Sequence, residues 1–155
     1  MSDPLLFEPI RFRGAVAANR VMVSPMQQYA GEGGFANDFH LVHLGRFAMG
    51  GAGIVVAEAT GIEPDGRMSH GDLGLWSDEQ IAPLARITRF LREHGSVPGI
   101  QLVHAGRKGS MQAPWHGLGP LTDEDAKRGE APWQLIGPSA LSAGPGWPEP
   151  TMMSV

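Results

Sequence analysis

The chain has no cysteine among its 155 residues, which removes disulfides, thiolate metal sites and cysteine nucleophiles together. Any chemistry must use other groups. It has no excess of basic residues, with a net charge of -4 and its lysines and arginines scattered, so no basic face for nucleic acid is expected. No run of like charge suggests a tail. No apolar stretch approaches a membrane span, and the opening Met1-Ser2-Asp3-Pro4-Leu5-Leu6-Phe7-Glu8-Pro9 has early acids and no signal-peptide core. These absences lead to the expectation of a cytoplasmic protein with small-molecule or protein partners and no membrane contact.

What is abundant is glycine and proline, at 22 and 13 residues, gathered between short apolar runs and after Lys108. That is a loop-rich α/β pattern. Leu6 to Phe12 alternates, Arg13-Gly14 reads as a turn, and Ala15 to Val23 resumes, which predicts an N-terminal hairpin. Arg20 to Ser24 is β-rich and stops at Pro25. Asn37 or Asp38 can cap a helix carrying Leu41, Leu44 and Ala48 on one face, ended by Gly50-Gly51. Gly53 to Ala57 is an apolar run of strand length, with Glu58 and Thr60 expected just beyond it.

Ile62 to Leu75 reads as a loop. Ser77 with Gln80 has capping-box spacing, and Leu84, Ile87 and Leu91 stripe a helix whose Pro83 argues for a start near Ile81. Val97 to Val103 then reads as a buried strand, completing a β-α-β-α-β order and hence a parallel sheet. Beyond Lys108 there is no periodicity, and Thr151 to Val155 reads as a helix cap with its first residues. Three parallel strands with two helices leave an open edge.

Parallel strands deliver their C-terminal ends to one side of a sheet, where sites gather. Here those ends are Ser24-Pro25-Met26-Gln27, Glu58-Ala59, and Gln101 with His104 to Arg107. A buried Gln101 amide needs hydrogen-bond partners, and a ligand or an internal backbone group would serve equally. Other motifs carry less. His40 and His43 have a metal-compatible spacing without a third ligand, and a capped helix histidine is the simpler reading. Gly50-Gly51-Ala52-Gly53 precedes its strand, whereas a phosphate cradle follows one. Glu58 and Asp65 are a candidate acid pair, and Trp115, Trp133 and Trp147 either line a mouth or pack the long loop.

In order along the chain, Phe7-Glu8-Pro9, Asn19-Arg20, Ser24-Pro25-Met26 with Tyr29, Gly51-Ala52-Gly53 leading to Glu58-Ala59, Gly66-Arg67, Leu75-Trp76-Ser77-Asp78, Gln101-Leu102 with His104-Ala105-Gly106-Arg107-Lys108, and Pro138-Ser139-Ala140 resemble the old yellow enzymes. The likeness is greatest to the bacterial thermophilic-like ene-reductases, xenobiotic reductases included. It implies the N-terminal half of a TIM (β/α)8 barrel, one incomplete unit over 1-155 with a hairpin at 1-18, the β-α-β-α-β portion at 19-104 and a long loop at 105-150. It also implies FMN as cofactor, NADPH or NADH as hydride donor and an activated alkene as substrate. Carried over by position, Ser24, Pro25, Met26 and Gln27 lie along the flavin, Ala59 and Gln101 meet its pyrimidine side, and Tyr29 touches substrate.

Gln27 departs from the cysteine usual in this branch. The family's carbonyl-binding pair, proton-donating tyrosine, flavin-binding arginine and phosphate loops have no counterpart in this stretch, so no catalytic residue is assigned, and His104 and Arg107 are structural supports. The resemblance therefore implies a complementary C-terminal half-barrel chain as partner, in an oligomer. The alternative is a non-catalytic half-barrel acting as an assembly or binding module. A third reading, a dienoyl-CoA reductase or demethylase, gains nothing from a chain without cysteine.

Overall fold

A computed structural model of the chain describes residues 4–154. Positions 1–3 and 155, which end the segments read above as the chain start and a helix start, lie outside them. The hairpin forms as expected, β1 (Ile10–Phe12) pairing antiparallel with β2 (Ala15–Ala17). Arg13 turns between them at φ 50°. The run expected from Ala15 to Val23 is not continuous. Asn19 breaks it, its side-chain oxygen accepting from the N–H groups of Val21 and Gly53 at 3.0 and 2.9 Å while its amide donates to the Gly51 carbonyl at 2.7 Å. Strand β3 (Met22–Val23) thus leaves the hairpin and enters a parallel sheet.

Helix α1 (Asp38–Met49) begins at the predicted cap. Asn37 accepts from the Phe39 N–H at 3.1 Å, and the His40 ring closes the capping box on the Asn37 N–H. Strand β4 (Ile54–Gly61) is longer than the apolar run suggested and contains Glu58 and Thr60, expected beyond its end. The reason is pairing: from Ala59 onward its backbone still matches the next strand, and Glu58 is accommodated by a bulge in the register. Within the expected loop, β5 (Leu73–Gly74) adds a short parallel pair to the end of β4.

Gln80 caps the following turn, its side-chain oxygen accepting from the Trp76 and Ser77 N–H groups at 2.9 and 3.2 Å. Helix α2 (Ile81–Glu93) then starts where Pro83 falls in its first turn. Leu44 and Ala48 of α1, Val55 and Ala57 of β4, Leu73, and Ile87 and Leu91 of α2 form the buried core.

Strand β6 (Val97–Val103) pairs parallel with the opposite edge of β4. Its expected burial fails. Ile100, Gln101 and Leu102 are exposed, because among the described residues only β4 lies beside it. The segment after Lys108 is built from turns, the short α3 (Asp123–Ala126), and a two-residue pair of β7 (Ile136–Gly137) with β8 (Thr151–Met152). Thr151 is therefore a strand residue and not a helix cap, its N–H donating to the Leu135 carbonyl at 2.7 Å. Arg67 pins this segment to the sheet, its guanidinium 5.3 Å from the Trp76 ring and 5.4 Å from Trp133, while Trp133 Nε1 donates to the Asp65 carbonyl at 3.0 Å.

Candidate functional site

Because β3, β4 and β6 run parallel, the residues that close them share one edge of the sheet. Ala59 and Gln101 are partners in the β4–β6 register. The segment leaving β3 reaches the same edge, where the Gln28 N–H donates to Glu58 Oε1 at 3.1 Å. Ser24, Pro25 and Met26 lead into it, and the Met26 carbonyl accepts from the Gln28 amide at 2.8 Å. Tyr29 follows at φ 56°, a left-handed conformation uncommon for a bulky residue. Its ring meets Trp115 edge-on at 5.7 Å. The ends of the three strands are thus linked by the Ala59–Gln101 register and the Gln28–Glu58 hydrogen bond, whereas His104 to Arg107 lie apart.

Asp72, which the sequence did not single out, and His40, read there as a capped helix histidine, lie behind that edge. Asp72, fully buried, accepts from Gln27 Nε2 at 2.8 Å, from the Ser69 hydroxyl at 2.6 Å and from the Met68 N–H at 2.8 Å. His40, also fully buried, lies with its Nε2 3.9 Å from Glu58 Oε2. Burial pushes the Glu58 carboxyl up to about 7, with the Asp72 charge adding and the Gln28 N–H opposing. Burial likewise raises Asp72, against its hydrogen bonds from Ser69 and Met68, and lowers His40. The Glu58 and His40 shifts, both due first to burial, oppose an ion pair between them. Tyr29 is raised, chiefly by burial, with Asp72 and Glu58 contributing.

The Glu58 and Asp65 pairing does not form, since Asp65 sits exposed in a turn while Glu58 is buried. Trp115 reaches the site through Tyr29, whereas Trp133 packs the long segment. His104 accepts from the Gly106 N–H at 3.2 Å and lines a separate cavity of about 410 Å³ with Arg107 and Gly137 to Ser139.

This edge carries no nucleophile with an adjacent base. It offers the small side chain of Ala59 and the exposed amide of Gln101, while Gln27 Oε1 is shielded from solvent and has no partner among the described residues. Amides and backbone groups of this kind suit a planar heterocycle whose rim both donates and accepts hydrogen bonds. FMN fits that description.

Residues 5–134 match the NADH:flavin oxidoreductase / NADH oxidase family, and the chain belongs to it. FMN with NAD(P)H as hydride donor is the cofactor pairing that membership implies. An NADH:flavin oxidoreductase of Gibberella zeae is 40% identical over 137 residues, covering 88% of this chain and 33% of its own length. An NADPH dehydrogenase of Bacillus cytotoxicus is 44% identical over 108 residues, covering 68% and 31%.

Among solved structures, morphinone reductase superposes with a TM-score of 0.77 at 23% identity, over 99% of this chain and 40% of that one. The old yellow enzyme of a Pichia species gives 0.71 at 24%, over 90% and 33%. These likenesses are of fold. The chain spans about a third of the length of the curated relatives it matches, and its open parallel sheet is a portion of their α/β barrel. No helix among the described residues is long and apolar enough to cross a membrane.

Proposed function

We propose that this chain supplies the strand-end wall of an FMN site in an NAD(P)H-dependent ene-reductase whose barrel is completed by a second, C-terminal portion. The observation that carries the reading is the convergence of Gln27, Ala59 and Gln101, joined by the Ala59 to Gln101 register and the Gln28 to Glu58 hydrogen bond. Ser24, Pro25, Met26 and Gln27 would lie along the ring system. Ala59 leaves room for its edge, and Gln101 supplies an amide able both to donate and to accept there. Tyr29, set against Trp115 at the mouth, would contact substrate.

When bound, FMN supplies hydride transfer from NAD(P)H to an activated alkene. The residues of this chain hold, orient and shield; the groups that anchor the substrate carbonyl and return the proton belong to the completing portion. The open edge of β6 supports such a partner. Its exposed Ile100 lines an apolar groove of about 410 Å³ with Leu84, Thr88, Leu91 and Pro98, a surface suited to a strand followed by a helix. On this reading the chain is one incomplete unit, to be divided into a hairpin at 1-18, the β-α-β-α-β portion at 19-104 and the long segment at 105-150.

Mixing the chain with a polypeptide carrying the rest of the barrel should yield a yellow complex that oxidises NADPH in the presence of an enone. A colourless, inactive mixture would overturn the reading. A stable flavin-free assembly would instead identify the chain as a binding module.

A further inference from the structure

The segment from Ser24 to Ala30 carries the wall assigned above to the flavin, yet it belongs to no strand. Strand β3 ends before it at Val23. At its far end the Ala30 carbonyl accepts from the Asn37 amide at 2.9 Å, and the next N–H, that of Gly31, donates to the Gly71 carbonyl at 2.8 Å. Between these fastenings a single backbone N–H, that of Gln28, has a hydrogen-bond partner among the described residues, and the partner is Glu58 Oε1 at 3.1 Å. The Gln27 side chain adds a bond to Asp72 at 2.8 Å. That bond fixes the end of a side chain and leaves the backbone to Glu58.

An irregularity in the sheet places Glu58 for this. Ala57 pairs with Ile100 and Ala59 with Gln101, so Glu58 is an extra residue of β4 without a partner in β6, and such a bulge re-aims the side chain it carries. Glu58 is almost fully buried. The Gln28 N–H is the one hydrogen-bond partner of its carboxyl among the described residues, since His40 Nε2 at 3.9 Å is too distant. Burying a carboxyl for one bond is unfavourable, and the rise of its pKa to about 7 reflects that. An apolar side chain of similar size would pack there at less cost. The acid is therefore explained by what it holds in place.

We propose that Glu58 is a positioning residue that sets the distance between the Ser24 to Gln27 wall and the Ala59–Gln101 edge, and with it the width of the slot that receives the flavin ring. This deepens the FMN reading and rests on it. Glu58 acts through the Gln28 backbone without touching the ligand. What it must supply is an oxygen acceptor at the reach of a glutamate side chain, and a negative charge is not required.

Three variants of the assembled barrel separate these properties, read by the FMN dissociation constant. Glu58→Gln keeps reach and acceptor and loses the acid, Glu58→Asp keeps the acid and loses reach, and Glu58→Met keeps reach and loses the acceptor. Glu58→Gln should bind FMN within about threefold of the parent, whereas Glu58→Asp and Glu58→Met should each weaken it about tenfold, as expected for the loss of one hydrogen bond. If Glu58→Met fails to fold, the contrast between Glu58→Gln and Glu58→Asp still decides. Parent-like binding by Glu58→Asp, or a Glu58→Gln protein as weak as Glu58→Asp, would overturn the proposal.

A second readout needs no flavin. In hydrogen exchange followed by NMR, the Gln28 backbone amide should be protected in the parent and in Glu58→Gln and exposed in Glu58→Asp, while the amides of the β4–β6 ladder stay protected in all three. Equal protection of Gln28 in all three would also overturn it. If the parent binds no flavin, the FMN reading fails while the exchange pattern still reports the tie, so the two failures are told apart.

Discussion

Replacing Glu58 with glutamine should change the pH dependence of stability by roughly 3 kcal/mol between acid and mildly alkaline solution. Glu58 is almost fully buried, and its carboxyl is pushed from 4.5 up to about 7. An acid whose pKa rises on folding is held in its neutral form. Below about pH 4.5 both the folded and unfolded chains are protonated at this position, and its contribution is fully present. Between 4.5 and 7 the unfolded chain has lost the proton that the folded chain keeps, so stability falls as pH rises, and it levels off above 7.

Glutamine cannot ionise, yet its side-chain oxygen can still accept the Gln28 N–H now bound at 3.1 Å. His40, lowered by burial, acts in the opposite sense as pH falls below its ordinary value, and Asp72, raised, acts in the same sense as Glu58. The difference between parent and Glu58→Gln in urea unfolding isolates Glu58 from both. That difference should move in favour of the variant as pH rises from about 4.5 to about 8. A constant difference would show that the Glu58 carboxyl titrates alike in the folded and unfolded chains.

The second large effect is expected at Gly71. The segment carrying Tyr29 lies backbone to backbone against Gly71 and Asp72, with the Gly31 N–H donating to the Gly71 carbonyl at 2.8 Å. A Cβ on Gly71 would fall 2.6 Å from the Tyr29 carbonyl oxygen and 2.9 Å from its Cα. Neither is the end of a flexible side chain, so the two segments must separate. Gly71→Ala should therefore lose about 1–3 kcal/mol or more. It should also displace Tyr29 and carry Asp72 away from Gln27, weakening FMN binding alongside stability. Gly14→Ala, where a Cβ meets nothing within 4 Å, is the control and should fall within about 0.5 kcal/mol of the parent. Equal stabilities in thermal unfolding would contradict the packing described.

Much of this arrangement is legible in the sequence because its signals are local. The cap at Asn37, the box at Ser77 and Gln80, and the start forced by Pro83 each depend on residues a few positions apart, and each stands where the sequence puts it. The three main strands are apolar runs whose order implies parallel pairing, and the strand-end residues follow from that order. The failures are of range. Two-residue strands such as β5, β7 and β8 carry no periodicity, so Thr151, whose partner Ile136 is far away in sequence, reads locally as a cap.

Gln101 reads as buried because an apolar run cannot reveal whether a neighbouring strand lies on each side. Asp72 stands in a stretch full of turn residues and looks like one of them. Only the fold brings it to Gln27, 45 positions earlier. Glu58 is visible as a strand-end acid, but its bulge and its contact with His40 depend on how β6 and α1 pack.

Whether the strand-end wall meets the flavin is measured most directly by the FMN dissociation constant of the assembled barrel with Gln101 and with alanine in its place, followed by quenching of flavin fluorescence. The Gln101 side chain is exposed and makes no hydrogen bond within the described residues, so its removal leaves the fold of this chain intact. If its amide meets the ring, Gln101→Ala should weaken FMN about tenfold or more, the loss of about 1–3 kcal/mol that accompanies an unsatisfied polar group. Unchanged affinity would contradict the assignment of this edge as the flavin site.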